Sequence, residues 1–300
     1  MSGRTVALLG AGRMGSAIAR RLAANGVQVR VWNRTYSRAA ALAGDGISSF
    51  ESLADAVDGA DTVISILSAG PAVREALGAV AEHLEDSTVV VEASTIDAAT
   101  MAEVAALLPV PVLSAAVSGT PGVVSAGNAG LLVSGDEKAR SRSAEVLGLF
   151  AARVVPVGSR VEDAKLVKIA INAVLAGTME LLAESTVLLE ASGVDRTTFA
   201  DALGGSVLAS TYSTYKLEAL VERNYDATFA TRDLRKDVAL ALAQADEGNV
   251  ELPIAGRVLE LLDDAIGRGW GELDFLALVP RLQAASGISP DLPLEEALRS

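Results

Sequence analysis

The sequence predicts an α/β fold in its first half and an all-α fold in its second. Three observations carry this expectation. Short apolar runs alternate with helical stretches as far as Val157, one unbroken helical pattern follows, and strand signals nearly vanish beyond it. Apolar runs separated by helices are the pattern of parallel strands covered on both faces. Right-handed crossovers wind such strands into a doubly wound sheet whose ligand crevice lies at the strand carboxyl ends. The expected domains are residues 1–160, a Rossmann-type sheet, and residues 161–300, an all-α domain beginning with a long interdomain helix over 161–193.

The first strand, Thr5–Leu9, runs straight into Gly10-Ala11-Gly12-Arg13-Met14-Gly15, followed by a helical stretch, Ser16–Asn25, closed by Gly26. The three glycines of this turn serve different ends. Gly10 makes the tight turn, Gly12 lets backbone N–H groups approach a pyrophosphate, and Gly15 lets the helix pack closely on the sheet. The helix N-terminus adds the positive end of its dipole. Gly10, Gly12, Arg13, Met14 and Gly15 are therefore expected at a dinucleotide.

The second strand ends at Trp32-Asn33-Arg34-Thr35. An acid about twenty residues past the glycines would bind the ribose 2′-hydroxyl of NAD and repel a 2′-phosphate. No acid stands there; Asn33, Arg34 and Thr35 do, with Arg38 one helical turn on. A guanidinium suits bidentate, charge-assisted binding of phosphate, so the expected cofactor is NADP(H).

Further strands are predicted at Thr62–Leu67, Thr88–Glu92, Val112–Val117, Gly130–Val133 and Arg153–Val157, with helices at Ala72–Leu84 and Ala98–Leu108 between them. Ser68–Pro71, Ser94–Thr95 and Ser118–Gly122 follow strands and should line the crevice, with Leu67 at its edge beside the cofactor. Ser118, Gly119 and Thr120 offer a hydroxyl and successive N–H groups in a strand-to-loop turn, which together make an anion nest.

Composition narrows the chemistry. A net charge of −13 argues against nucleic acid or an anionic membrane as partner, since both need clustered cations. The chain has no cysteine and one histidine, His83, in a polar stretch, so thiolate catalysis, Ser-His-Asp hydrolysis and His or Cys metal sites lose their central residues. No metal site is expected. The chain enters its first strand almost at once, and no apolar run reaches the roughly 18 residues of a membrane span, so a cytoplasmic protein is expected.

Within the long helix, Lys165, Lys168 and Asn172 lie along one stripe among Ile169, Ile171, Leu175 and Ala176. A lysine among apolar side chains is desolvated, which lowers its pKa and suits it to proton donation. Spacing alone leaves Lys165 and Lys168 both open. Beyond the helix, helical patterns occur at Thr197–Leu203, Lys216–Glu222, Arg232–Glu247 and Ala255–Gly267. They form a small core, so a homodimer or homotetramer is expected. Tyr212 and Tyr215, in the Ser/Thr-rich stretch before the second of these, are read as core residues or a far pocket wall.

The order of G-x-G-x-M-G, W-N-R-T, Ser114-Ala115-Ala116-Val117-Ser118-Gly119, Lys168-x-x-x-Asn172 and Lys236-Asp237 resembles the β-hydroxyacid dehydrogenases, which include 3-hydroxyisobutyrate dehydrogenases and glyoxylate or succinic semialdehyde reductases. The resemblance covers nearly the whole chain. It implies Lys168 as acid/base rather than Lys165, Asn172 fixing it and the substrate, and Ser118, Gly119 and Thr120 at the substrate carboxylate. It also implies Ser94 and Thr95 near the nicotinamide and Lys236 reaching over the cofactor, with Asp237 left to packing or capping. The implied activity interconverts a small carbonyl acid and its hydroxy acid. Where the family usually reads Asp-Ala-Pro-Val-Ser-Gly-Gly, this chain carries Ser114, Ala116 and Thr120. The Thr120 side chain crowds the third donor of the nest, which favours a carbonyl larger or less polar than glyoxylate. Imine reductases are similar in plan but usually place Asp or Tyr where Lys168 stands, which makes carbonyl reduction the first reading and imine reduction the second. A non-catalytic NADP-binding sensor is the third, and it has no use for Lys168 and Asn172.

Overall fold

The computed structural model describes residues 3–292, and the chain divides into two compact units, Met1–Ile169 and Ala170–Ser300. The first is built on one sheet: β1 (Thr5–Leu9), β2 (Gln28–Trp32), β3 (Ile47–Phe50), β4 (Thr62–Ser65), β5 (Val89–Glu92), β6 (Val112–Ser118), β7 (Ala129–Gly135) and β8 (Ala151–Gly158). Their spatial order is β3-β2-β1-β4-β5-β6-β7-β8. Connecting them are α1 (Arg13–Ala24), α2 (Tyr36–Ala40), α3 (Leu53–Val57), α4 (Gly70–Val80), α5 (Ala98–Leu107), α6 (Pro121–Ser125) and α7 (Glu137–Gly148).

Alternation along the strands splits the core into two layers. Val6, Leu8, Val29, Val31 and Leu113 pack with Ile18 and Leu22 of α1 and with Val146 and Leu147 of α7. Ala7, Leu9, Val63 and Val90 face the other way, onto Val73 and Leu77 of α4 and Met101 and Val104 of α5. Both faces are thus covered by helices, which is why the strands read as continuous apolar runs.

The expectation of parallel strands throughout is corrected at one place, since β7 runs antiparallel to β6. Residues 119–128 are too few for the crossover of about a dozen residues that a parallel neighbour needs, so the chain turns back on itself. β8 is again parallel to β7. Strand β3 (ISSF) is absent from the sequence reading, because Ser48 and Ser49 break its apolar run.

The long helix, α8, spans Asp163–Ala191. By length and composition it is long and apolar enough to cross a membrane, although polar residues interrupt its apolar runs. One of its faces supplies Ala176, Met179, Leu182, Ala183 and Val187 to the core of the second unit, so core packing accounts for the apolarity of that face.

The second unit continues with α9 (Arg196–Gly204), α10 (Thr211–Val221), α11 (Thr231–Glu247), α12 (Pro253–Ala265) and α13 (Leu278–Ala285). α10 starts earlier than its apolar pattern, because Ser210 and Ser213 form a reciprocal capping box that extends the helix through the Ser/Thr-rich stretch. Tyr212 and Tyr215 sit on it edge to face at 5.7 Å. Tyr212 donates to the Leu175 carbonyl at 3.1 Å.

Candidate functional site

At the carboxyl edge of β1, Gly10 adopts φ +120°, and a Cβ there would lie 2.2 Å from the Ile66 carbonyl oxygen. A Cβ on Gly15 would lie 1.9 Å from the Gly10 oxygen. Neither position admits a side chain, for reasons internal to the fold. Gly12 differs: a Cβ there would meet nothing within 4 Å. Gly12 is the N-cap of α1 and supplies no side-chain cap to it. The first turn of α1, which includes Arg13 and Met14, therefore begins at a cradle that a Cβ would narrow, and this cradle fits the pyrophosphate of a dinucleotide.

Asn33 acts as a strut. Its Oδ1 accepts from Ala11 N at 3.0 Å and its Nδ2 donates to the Thr35 carbonyl at 2.9 Å. It ties the glycine turn to the end of β2. Thr35 is the N-cap residue of α2 but makes no side-chain cap bond. Arg34 and Arg38 are exposed beside it, and among the described residues neither enters an ion pair. A pair of uncommitted guanidinium groups at this place fits the 2′-phosphate expected from the sequence.

The carboxyl ends of β4, β5 and β6 bring Leu67, Ser94, Thr95, Ser118, Gly119 and Thr120 to the same edge of the sheet. Leu67 N donates to Ser94 Oγ at 2.8 Å, joining the loops after β4 and β5. Thr95 follows, half-buried. Ser118 and Gly119 are exposed at the end of β6, Gly119 with φ +131°. Thr120 Oγ1 accepts from Val123 N at 3.4 Å, so this hydroxyl caps α6.

Lys165 and Lys168 are treated very differently. Lys165 is 1% exposed, and its Nζ donates to the carbonyls of Glu92, Ser94 and Ala115, each at 2.9 Å. It also pairs with Glu92 Oε2 at 2.5 Å. An ammonium has three protons, so four oxygens saturate it. Glu92 Oε1 in turn accepts from Ser94 N at 2.9 Å. Lys168 lies one turn further along α8, half-buried.

In the second unit, Asn172 is 1% exposed and its Nδ2 donates to Asp237 Oδ2 at 2.6 Å. Lys236 Nζ donates to Asp237 Oδ1 at 2.6 Å. Asp237, 3% exposed, thus bridges two of the predicted site residues. This corrects the reading of Asp237 as a packing or capping residue: a buried carboxylate at the second turn of a helix has no orphan N–H to cap, and it takes side-chain donors instead. The signals for Glu92 and Asp237 were slight. Glu92 is an acid closing an otherwise all-valine strand, and Asp237 is an acid on a face shared with Leu234, Val238 and Ala241.

A doubly wound sheet with an open glycine cradle at its β1 edge, joined by a long helix to an all-α unit, defines a dinucleotide-dependent dehydrogenase or reductase. Residues 5–158 match the NAD-binding domain of 6-phosphogluconate dehydrogenase, and residues 163–282 match the NAD-binding domain of NADP-dependent 3-hydroxyisobutyrate dehydrogenase. The chain belongs to the β-hydroxyacid dehydrogenase family of NAD(P)-binding oxidoreductases. It is 29% identical over 280 residues to glyoxylate/succinic semialdehyde reductase 1 of Arabidopsis thaliana, covering 91% of this chain and 96% of that protein. Among solved structures it resembles 3-hydroxyisobutyrate dehydrogenase of Mycobacterium tuberculosis with L-serine, at 26% identity and a TM-score of 0.86, covering 94% of this chain and 100% of the other. An imine reductase from Pseudomonas sp. shares the fold at 20% identity and a TM-score of 0.61, covering 94% and 100%.

Proposed function

We propose that the protein uses NADP(H) to interconvert a small carbonyl acid, a semialdehyde or oxo acid, and its hydroxy acid, with Lys168 as proton donor and acceptor. The observation that carries this reading is the division of labour on α8. The ammonium of Lys165 is held by Glu92, Ser94 and Ala115, which leaves proton exchange to Lys168, one turn before an Asn172 amide oriented by Asp237. NADP(H) is supported by Arg34 and Arg38 at the end of β2, where an NAD-selective site would carry an acid, and by the match of the second unit to an NADP-dependent enzyme. The substrate class is supported by the semialdehyde reductase and hydroxyacid dehydrogenase names of the relatives.

When bound, the nicotinamide supplies or accepts a hydride. The chain's own residues do the rest. Ser118 and the N–H groups after it hold the carboxylate of the substrate, Ser94 and Thr95 border the reacting carbonyl, and Lys168 gives its proton to the oxygen as negative charge develops there. In the reverse direction the same amine takes the hydroxyl proton. A lysine at this position favours C=O over C=N reduction.

Ile171, Val174, Leu181 and Leu188 are exposed along one side of α8, and this stripe supports a homodimer or homotetramer. A cytoplasmic place, with NADP(H) at hand, goes with this reading.

The test is oxidation of NADPH, with NADH in parallel, over glyoxylate, succinic and methylmalonic semialdehydes, larger oxo acids and cyclic imines. Turnover of an aldehyde or oxo acid, lost in Lys168→Ala and kept in a stability-matched control, is the expected result. Turnover of imines alone, or full turnover by Lys168→Ala, overturns it.

A further inference from the structure

Four buried polar residues line up across the sheet, and two of them, Glu92 and Ser134, meet the start of α8. Ser65, Glu92, Ser114 and Ser134 stand at one level of the sheet, each aligned with the next across β4, β5, β6 and β7. All four are at most 1% exposed. Residues aligned across neighbouring strands share a face, so the row forms a polar band within an otherwise apolar layer. The band receives the first turns of α8. Ser134 Oγ donates to the Val161 carbonyl at 3.1 Å and accepts from Ala164 N at 2.9 Å. Beside it, Lys165 reaches Glu92 and the two carbonyls of Ser94 and Ala115.

A buried ion pair is a poor way to gain stability, because the cost of desolvating two charges offsets most of their attraction. Such a pair is better suited to fixing geometry. Here the three elements it joins are the turn after β5 that carries Ser94 and Thr95, the strand β6 that leads to Ser118, and the helical turn preceding Lys168. A Leu or Met in place of Lys165 would fill the same volume without aiming at any of them.

We infer that Glu92 and Lys165 are a positioning pair for the reaction, holding the α8 turn of Lys168 in fixed relation to the Ser94–Thr95 turn and to the β6 end. This inference rests on the reading of Lys168 as the proton donor. Neither member touches the reacting atoms, and both act through Lys168.

The experiment compares Lys165→Met, Glu92→Gln and Lys168→Ala with the unaltered full chain, using the best carbonyl substrate and NADPH deuterated at the transferred position. Rates are expressed per cofactor-binding site counted by fluorescence titration, so that unfolded protein does not enter them. The pair variants are expected to lose about tenfold to a hundredfold in kcat, with KM for NADPH changed by no more than about twofold and a larger isotope effect on kcat. In the Lys168→Ala background the same substitutions should cost no further rate. A kcat per site equal to that of the unaltered chain, with only Tm lowered, overturns the inference and leaves the pair structural. So does an equal loss in both backgrounds.

Glu92→Gln keeps the volume and the Ser94 contact and serves if Lys165→Met does not fold. Full turnover by Lys168→Ala would instead remove the underlying reading. A measurement free of turnover separates the two failures: acetylation of Lys168 in the NADPH-bound protein, read by peptide mass spectrometry. A labelling rate altered by Lys165→Met supports the positioning role, and an unaltered rate overturns it.

Discussion

Asn172 and Asp237 meet through a 2.6 Å hydrogen bond between positions 65 residues apart in the chain, with Lys236 closing on the other carboxylate oxygen. The carboxylate fixes which way the amide points: Nδ2 donates to Asp237, so Oδ1, which only accepts, is turned the other way. Asp237→Ala should therefore lower kcat/KM by about tenfold to a hundredfold, the equivalent of one buried polar group left unsatisfied. Steady-state kinetics on the folded variant checks this, and an unchanged kcat/KM would reduce Asp237 to a packing role.

The three glycines of the first turn make separable predictions. Gly12→Ala meets no atom of the chain within 4 Å, whereas a Cβ on Gly15 would lie 1.9 Å from a backbone oxygen. Gly12→Ala should leave Tm nearly unchanged and weaken NADPH binding by about tenfold or more, since the Cβ fills the cradle. Gly15→Ala should lower Tm in the absence of cofactor. Thermal melts with and without NADPH distinguish the two.

Cofactor choice is tested at the end of β2. Arg34→Glu should raise KM for NADPH by about tenfold to a hundredfold while leaving or improving NADH, by removing one charge-assisted phosphate contact and adding a repulsion. Equal effects on both cofactors would show that Arg34 does not read the 2′-phosphate.

Glu180 makes stability depend on pH. It is 6% exposed on α8, its Oε2 has no hydrogen-bond partner among the described residues, and burial followed by repulsion from Glu184 pushes its carboxyl up to about 7, against the pull of Arg281 and Arg257. With the folded value above the unfolded one, its contribution is fully present below the unfolded pKa and is lost as pH rises towards about 7. Glu180→Gln should therefore stabilise the protein by about 1–3 kcal/mol at pH 8 and by less at pH 5. Urea midpoints at the two pH values measure the difference, and equal gains would mean that the carboxylate is solvated.

The apolar stripe of α8 predicts assembly. Leu181 is 64% exposed, with Val174 and Leu188 about two turns to either side. Leu181→Glu should shift the mass by light scattering from an oligomer towards one chain. A single-chain mass for the unaltered protein would contradict the assembly itself.

Features that depend on local pattern could be read from the residues alone. The glycine turn, the strand-ending W-N-R-T, the alternation that makes a doubly wound sheet and the extent of α8 are all legible, because backbone freedom at glycine and the period of apolar residues are written in neighbouring positions. The remaining features needed the folded chain. The reversal at β7 followed from the short 119–128 connection, and β3 formed despite Ser48 and Ser49 because β2 offered a partner edge. The separation of Lys165 from Lys168 was equally invisible in their spacing, since both lie on one stripe of one helix. What tells their surroundings apart is the set of oxygens of Glu92, Ser94 and Ala115 around Lys165, at sequence distances of 50 to 73 residues. Asp237 likewise acquired its role from Asn172, 65 residues away. A buried charge takes its part from whatever acceptors or donors surround it, and those are assembled only when distant segments meet.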